Sequence, residues 1–122
     1  MDDATLRTLK TELEAERDRL EAVVAEMEQV ERESLSEASG ENNYRDHMAD
    51  QGSATFEREL DMTLEENARA ALDEVRAALA RIEAGDYTVC ARCGKDIPED
   101  RLKAYPTASL CIACKEAEES FR

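Results

Sequence analysis

Bulky apolar residues are scarce in this sequence of 122 residues. It has no tryptophan, three tyrosines, two phenylalanines and two prolines, and the residues behind its apolar fraction of 42% are largely alanine and leucine. Alanine and leucine favour helices and fill little volume, so a thick globular core is not expected. The length allows one domain or two small pieces, which excludes a large α/β enzyme.

Positive charge is scarce as well. Lysine and arginine number 16 against 30 aspartates and glutamates, which gives a formal net charge of -14. A cationic surface is what attracts the phosphate backbone of nucleic acids, so we expect no sequence-specific DNA binding.

Long apolar runs are missing too. No stretch approaches the roughly 18 to 20 apolar residues that a bilayer-spanning helix needs. The amino terminus, Met1-Asp2-Asp3, lacks the basic and apolar regions of a signal peptide. The sequence therefore predicts a cytoplasmic protein with no membrane partner.

The first 35 residues or so have the pattern of an amphipathic helix. They contain no glycine or proline, and their apolar residues recur every three or four positions, as in a coiled-coil seam. Glu16 is the one charged residue at a seam position. The apolar seam consists of Leu6, Leu9, Leu13, Leu20, Val23, Met27 and Val30.

A second apolar stripe follows a polar connector, residues 36–53, which has two glycines and no apolar repeat. We expect Ser53 to cap a helix that ends before Gly85, where a left-handed residue would close the last turn. The stripe consists of Phe56, Leu60, Leu64, Ala68, Leu72, Val75, Leu79 and Ile82.

Two stripes of similar length around one connector predict a mainly α fold, a long antiparallel α-helical hairpin. Each helix can bury its stripe only against the other. The chain would then be a monomer with a tip at about residues 36–53. The pattern also fits a structural protein-interaction module, in which an acidic coiled coil dimerises and the rest of the chain caps one end.

The last region differs in composition, so the predicted domains are a hairpin, 1–85, and a small module, 86–122. This module holds both prolines and all four cysteines. The cysteines form two Cys-x-x-Cys pairs separated by 17 residues, which is the spacing of a zinc site. The pairs are Cys90 with Cys93 and Cys111 with Cys114. Gly94 allows a tight turn after the first pair, and helix-forming residues after the last pair predict a short C-terminal helix.

A zinc ion held by four thiolates has no open coordination position. Such a zinc is structural and supplies no activated water for hydrolysis, so the role of the module is architectural. Metal binding must supply most of the stability of so small a module. The apolar residues expected beside the metal are Ile97, Leu102, Tyr105 and Leu110.

Other chemistry fits the same cysteines. Two disulfides or a thioredoxin-like redox pair are alternatives, although no parallel-sheet pattern is present to carry a redox motif. An iron–sulfur cluster also takes four thiolates. The single histidine, His47, lies in the connector and is assigned no metal role.

The residues between the cysteines carry a further pattern. It consists of Cys90, Cys93, Gly94, Ile97, Arg101, Leu102, Ala104, Pro106, Ala108, Cys111 and Cys114, preceded by Gly85-Asp86-Tyr87-Thr88. Metal coordination alone does not require Ile97, Arg101 or Pro106. The pattern resembles the C-terminal zinc finger of the DksA/TraR family of bacterial transcription regulators.

This resemblance implies a function. Members of the family insert a helical hairpin into the secondary channel of bacterial RNA polymerase, where an acidic tip reaches toward the active site. The resemblance therefore implies a non-enzymatic transcription regulator with RNA polymerase as its partner and structural Zn²⁺ as its cofactor. Some members also bind a guanosine alarmone, a partner for which this sequence offers no recognisable pocket. An acidic chain suits a channel lined by basic groups.

Asp46 and Asp50 are the tip carboxylates that the resemblance suggests, with Glu41 as a weaker third. The stretches 46–52 and 55–59 look like the tip of a shorter, Gram-positive-like branch of the family. Aspartate also favours turns and helix starts in its own right, so these residues are either functional or only turn-forming.

Two roles are also possible for the basic residues of the second helix and of the finger. They either contact polymerase or an anionic nucleotide, or lie on solvated faces. They are Arg58, Arg69, Arg76, Arg81, Lys95, Arg101 and Lys103.

Overall fold

The computed structural model describes the backbone of residues 1–38 and 51–120, and the side chains of residues 1–33 and 59–120. Most of this part is helical. The helices are α1 (Asp3–Ala38), α2 (Gln51–Ala84), α3 (Glu99–Ala104) and α4 (Ile112–Ser120). Within the described ranges, β pairing is limited to one antiparallel bridge between Val89 and Asp96.

The predicted fold class is confirmed. Two long helices form a hairpin, and a small four-cysteine finger that ends in a short helix follows them. No helix in the described ranges combines the length and the apolar character that crossing a bilayer requires.

Both long helices extend further than the sequence pattern predicts. α1 continues to Ala38 rather than ending near residue 35, and α2 begins at Gln51. Ser53 therefore lies inside α2, and its predicted role as N-cap is wrong. A helix leaves the same number of N–H groups without an internal partner wherever it begins. A polar turn can therefore extend the helix ahead of the apolar stripe at little cost.

The chain divides into two compact units. The first unit combines Met1–Arg17 with Asp73–Arg122, and the second is Asp18–Leu72. The predicted domains, 1–85 and 86–122, concern independent folding and stay a prediction.

In the first unit, the start of α1 lies beside the end of α2. Leu9, Leu13 and Val75 are buried there. Lys10 Nζ is 3.1 Å from Glu83 Oε1. Because both charged groups are largely exposed, this ion pair contributes at most about 1 kcal/mol, and apolar burial does more to hold the helices together.

Asp2 caps the amino terminus of α1. Its Oδ1 accepts a hydrogen bond of 2.7 Å from the backbone N–H of Thr5. This bonding to Thr5 favours the ionised form and lowers the pKa of Asp2 below its ordinary value. The carboxylate also lies where the positive end of the helix dipole stabilises a negative charge.

The second unit contains the middle of both helices. Leu20, Val24 and Leu72 are buried. Arg69 Nη2 lies 2.6 Å from Glu28 Oε1 and 2.7 Å from Glu65 Oε1, so one guanidinium joins carboxylates of α1 and α2.

Burial corrects the predicted seam of α1. Val24 is buried rather than Val23, and Val30 is 54% exposed. The reason is the helical period of about 100° per residue. Measured around the axis from Leu13, Val24 is about 20° away, whereas Val23 and Val30 are about 80° and about 100° away.

The predicted stripe of α2 is also only partly buried. Leu60 and Leu64 are 49% and 47% exposed, whereas Ala78 is fully buried. Each step of four residues overshoots a full turn by about 40°, so Leu60 lies about 120° around the axis from Leu72. Ala78 was not predicted because the neighbouring Leu79 continued the apolar repeat after Val75.

Gly85 ends α2 as predicted. Its φ is 85°, in the left-handed region. Its N–H donates to the Ile82 carbonyl oxygen at 3.2 Å, and the Asp86 N–H donates to the Arg81 carbonyl oxygen at 3.1 Å. This pair of bonds is the Schellman motif, which satisfies carbonyl groups left over in the last turn.

We expect Gly85→Ala to destabilise the protein by about 1 to 2 kcal/mol. A Cβ at this position would meet nothing within 4 Å, so the cost comes from the left-handed backbone alone. Chemical denaturation measures the loss. Gly85→Asn is the matched control and should lose less, because asparagine tolerates this conformation. Equal losses in both variants would contradict this account of the helix end.

Candidate metal centre

The first cysteine pair lies in a tight β-like turn. The Cys90 N–H donates to the Lys95 carbonyl oxygen at 2.8 Å, and the Ile97 N–H donates to that of Thr88 at 2.7 Å. Gly94 has a φ of 75°, and its N–H donates to the Cys90 carbonyl oxygen at 3.0 Å. The predicted turn at Gly94 is therefore present, and it brings Cys90 and Cys93 to the same side.

The second cysteine pair lies at the start of α4. Cys111 directly precedes the helix, and Cys114 is in its first turn. The Lys115 N–H donates to the Cys111 carbonyl oxygen at 2.9 Å, which closes that turn. A separation of three residues in a helix puts both side chains on one face.

The four sulfur atoms lie together in space. They are all within 4.8 Å of one another, and Cys93 Sγ is 3.8 Å from Cys111 Sγ. In a tetrahedral site with Zn–S bonds of about 2.3 Å, neighbouring sulfur atoms are about 3.8 Å apart. The arrangement therefore fits one zinc ion closely.

The alternatives to zinc fit less well. All four cysteines are free, and a disulfide needs about 2.05 Å between sulfur atoms. An iron–sulfur cluster puts several metal atoms between its thiolates and needs them further apart than a single ion does. A closed four-thiolate shell supplies structure and no activated water.

The thiols differ in acidity. Backbone N–H groups, first that of Cys93, stabilise the Cys90 thiolate and lower its pKa to about 6. The N–H of Cys114 lowers the pKa of Cys111, whereas hydrogen bonding to Cys111 raises the pKa of Cys114 to about 12. Cys114 therefore keeps its proton at neutral pH, and a divalent cation must displace that proton when it binds.

A small apolar core lies around the finger. Its buried members are Tyr87, Cys90, Ile97, Leu102 and Ala108. Ile97 and Leu102 were predicted, but the prediction for Tyr105 is wrong, since it is 63% exposed. Leu110 is half-buried.

Tyr87 is the buried aromatic residue of the finger. Its hydroxyl donates a hydrogen bond of 2.7 Å to the Pro106 carbonyl oxygen. Burial raises the pKa of Tyr87, so the hydroxyl remains a donor. A buried tyrosine needs such a partner, and Tyr105 lacks one among the described residues, which explains why Tyr87 rather than Tyr105 is inside.

The loop before the second cysteine pair is held by its carbonyl oxygens. Each carbonyl from residue 106 to residue 110 accepts a hydrogen bond from another segment. The donors are Tyr87 Oη to Pro106 at 2.7 Å, Arg81 Nη2 to Thr107 at 3.4 Å and Ala108 at 3.3 Å, the Ala91 N–H to Ser109 at 2.8 Å, and Arg101 Nε to Leu110 at 3.0 Å. This set of bonds fixes the approach to Cys111.

The structure agrees with the prediction for some of the predicted site residues and not for others. The four cysteines are brought together. Arg81 and Arg101, predicted as partner contacts or solvated bases, are half-buried donors to the loop, and Arg92 was missed altogether. Several predicted positions lie outside the described residues: Asp46, Asp50, Glu41 and His47, and the side chains of Phe56 and Arg58.

Known proteins share this arrangement. Residues 85–120 match the prokaryotic dksA/traR C4-type zinc finger. An RNA polymerase-binding transcription factor DksA from Caulobacter vibrioides is 30% identical over 108 residues, which are 88% of this chain and 76% of that protein. This chain belongs to the DksA/TraR family.

Two other similar proteins extend the comparison. General stress protein 16O of Bacillus subtilis is 40% identical over 87 residues, which are 70% of this chain. The match spans only 53% of the length of that protein. The solved structure of transcription factor DksA2 from Pseudomonas aeruginosa is 32% identical, with a TM-score of 0.77, and the match covers 98% of this chain and 87% of that one. The predicted family and the predicted cofactor, structural Zn²⁺, are confirmed.

Proposed function

We propose that this protein is a non-enzymatic regulator of transcription that binds bacterial RNA polymerase through its secondary channel. The tip of the hairpin, with Asp46 and Asp50, would reach toward the active site. Cys90, Cys93, Cys111 and Cys114 would be the ligands of a structural zinc. The protein would act as a monomer in the cytoplasm, where its proposed partner works.

One observation carries this proposal. The likeness to a protein named an RNA polymerase-binding transcription factor extends over 108 residues, so it includes helical hairpin as well as finger. The net charge of -14 supports entry into a channel lined by basic groups and argues against direct binding to DNA.

Binding to purified core RNA polymerase tests the proposal. We expect the zinc-loaded protein to co-purify with the core enzyme and to change the lifetime of open complexes at some promoters. Binding should weaken with rising salt, because attraction between charged surfaces is screened. Absence of binding together with unchanged lifetimes would remove the proposal.

The tip carboxylates can be tested apart from binding. We expect Asp46→Asn with Asp50→Asn to retain polymerase binding and to lose most of the effect on open-complex lifetime, because binding rests on the rest of the chain. The measurements are a binding assay and a lifetime assay on the same preparation.

The matched control removes two carboxylates elsewhere on α2. Asp61 and Asp73 are exposed, so Asp61→Asn with Asp73→Asn changes the net charge equally. This variant should regulate like the parent protein. Full activity of the tip variant would mean that Asp46 and Asp50 only shape the turn.

Sedimentation separates this proposal from a dimeric interaction module. An intramolecular hairpin sediments as a 13.7 kDa monomer, whereas an intermolecular coiled coil has twice that mass. In the monomer, the ion pairs of Lys10 with Glu83 and of Arg69 with Glu28 would join the two long helices of one chain.

A further inference from the structure

Three arginines, one at the end of α2 and two in the finger, have no carboxylate partner within the described ranges. Acidic residues outnumber basic ones by 30 to 16 in this chain, so an arginine readily finds a carboxylate. Arg69 shows the ordinary case, since it pairs with two glutamates. Among the described residues, Arg81, Arg92 and Arg101 form no ion pair with a carboxylate.

All three arginines bind backbone carbonyl oxygens near the cysteines. Arg81 binds the carbonyls of Thr107 and Ala108, in the loop that leads to the second cysteine pair. Arg101 Nε binds the carbonyl of Leu110, directly before Cys111, at 3.0 Å. Arg92, which lies between Cys90 and Cys93, donates to the carbonyl of Cys114 at 3.4 Å.

Arg81 and Arg101 are also half-buried. The Nε of Arg81 is buried and has no hydrogen-bond partner among the described residues. A cation withdrawn from water costs free energy unless nearby negative charge compensates it. Carbonyl oxygens supply only part of that compensation, because they carry partial charges.

A zinc-loaded centre would add negative charge near this loop, because the loop leads directly to Cys111. Four thiolates around one divalent cation leave two formal negative charges on a structural zinc site. Guanidinium groups are weakly hydrated and present several donors in a plane, which suits a half-buried position against several carbonyl groups. Groups outside the ligand shell of a metal commonly orient the ligands and tune affinity.

We infer that Arg81 and Arg101 are positioning residues for zinc: they hold the carbonyl groups of residues 107–110 in place and offset the charge of the zinc–thiolate centre. Arg81 belongs to the last turn of α2, whereas the loop belongs to the finger. Zinc loading therefore stabilises the end of α2 as well as the finger. This inference does not depend on the identity of the macromolecular partner.

Zinc affinity tests the inference directly. Competition with a chromogenic chelator measures the affinity of the full-length protein for Zn²⁺. Arg81→Gln and Arg101→Gln should each weaken binding about tenfold, the usual effect of changing a group that supports metal ligands. Arg69→Gln is the matched control, because it removes the same charge from α2 in the second unit, and it should retain the parent affinity.

Two results would overturn the inference. One is parent-like zinc affinity in both Arg81→Gln and Arg101→Gln. The other is an equal loss in Arg69→Gln, which would mean that net charge alone decides affinity. If Arg81→Gln does not fold, Arg81→Lys carries the same test, since it keeps the charge and loses the planar set of donors, and about a threefold loss is expected.

Hydrogen exchange gives a readout independent of affinity. In the parent protein, chelation of zinc should speed exchange at the amides of Gly85 and Asp86, which close the last turn of α2. In zinc-loaded Arg81→Gln these amides should already exchange about tenfold faster, while those of Leu20 and Leu72 stay unchanged. Unchanged exchange at Gly85 and Asp86 after chelation of the parent protein would refute the link to α2.

Discussion

Replacement of Cys111 by serine is expected to abolish zinc binding and to unfold the finger. Three thiolates leave the metal shell open, and the apolar core of the finger is too small to fold without metal. Zinc contributes about 10 to 16 kcal/mol to comparable finger peptides, more than the net stability of many whole domains. Elemental analysis should find the parent protein with one zinc and the variant with almost none. Circular dichroism should show the loss of the α3 and α4 signal with the α1 and α2 signal largely kept.

The matched control is Ala113→Ser. Ala113 is exposed in the same turn of α4, between the two cysteines, so the control adds the same hydroxyl without removing a ligand. It should bind one zinc like the parent protein. In the parent protein, chelation should expose four reactive thiols for each zinc released. A Cys111→Ser variant that keeps full zinc content would contradict the proposed ligand set.

Truncation of Leu102 to alanine is expected to destabilise the zinc-loaded protein by about 2 to 5 kcal/mol. The Leu102 side chain is fully buried in the core of the finger, so its removal leaves a cavity as well as lost apolar contact. The midpoint of denaturation measures the loss. Free zinc must be held constant, because metal that binds only the folded state adds stability that depends on its concentration.

Ile112→Ala is the control for that experiment. Ile112 is an aliphatic residue of the same finger and is 53% exposed. Its truncation should change the stability by no more than about 0.5 kcal/mol, as is usual for surface positions. Similar losses in both variants would mean that the finger has no core distinct from its surface.

The best predicted features were those that depend on spacing and on backbone chemistry. The four cysteines were predicted to lie together because two short gaps and one long gap between them are typical of a zinc site, and their sulfur atoms do lie together. Gly85 was predicted to end α2 because glycine adopts the left-handed conformation after a helix without steric strain, and its observed φ of 85° agrees. Both rules act locally along the chain, so a sequence is enough to apply them.

The buried faces of the long helices were predicted less well. A repeat of three and four residues describes a seam only while its phase is kept, and steps of four residues alone lose that phase. Leu60 and Leu64 fit the repeat in sequence yet lie away from the buried face. Val24 was missed because Val23 continued the apolar repeat more closely.

The bonds around the loop could not be predicted from sequence. Arg81 is 26 residues from Thr107, and nothing in the identity of either residue indicates that a guanidinium and a carbonyl will meet. Tyr87 and Tyr105 are alike as residue types, and only the position of the Pro106 carbonyl distinguishes them. Which side chain binds the loop, and which tyrosine is buried, depends on tertiary contacts between distant parts of the sequence.

Residues 106–110 are bound through their main-chain carbonyl oxygens, and this affects which mutations the stretch tolerates. Every amino acid offers the same carbonyl group, so exchange of Thr107 or Ser109 for another residue leaves the bonds available. Loss or gain of a single residue shifts all later carbonyls relative to their fixed donors and breaks several bonds together. The stretch thus permits substitution at Thr107 and Ser109, whereas its length is fixed.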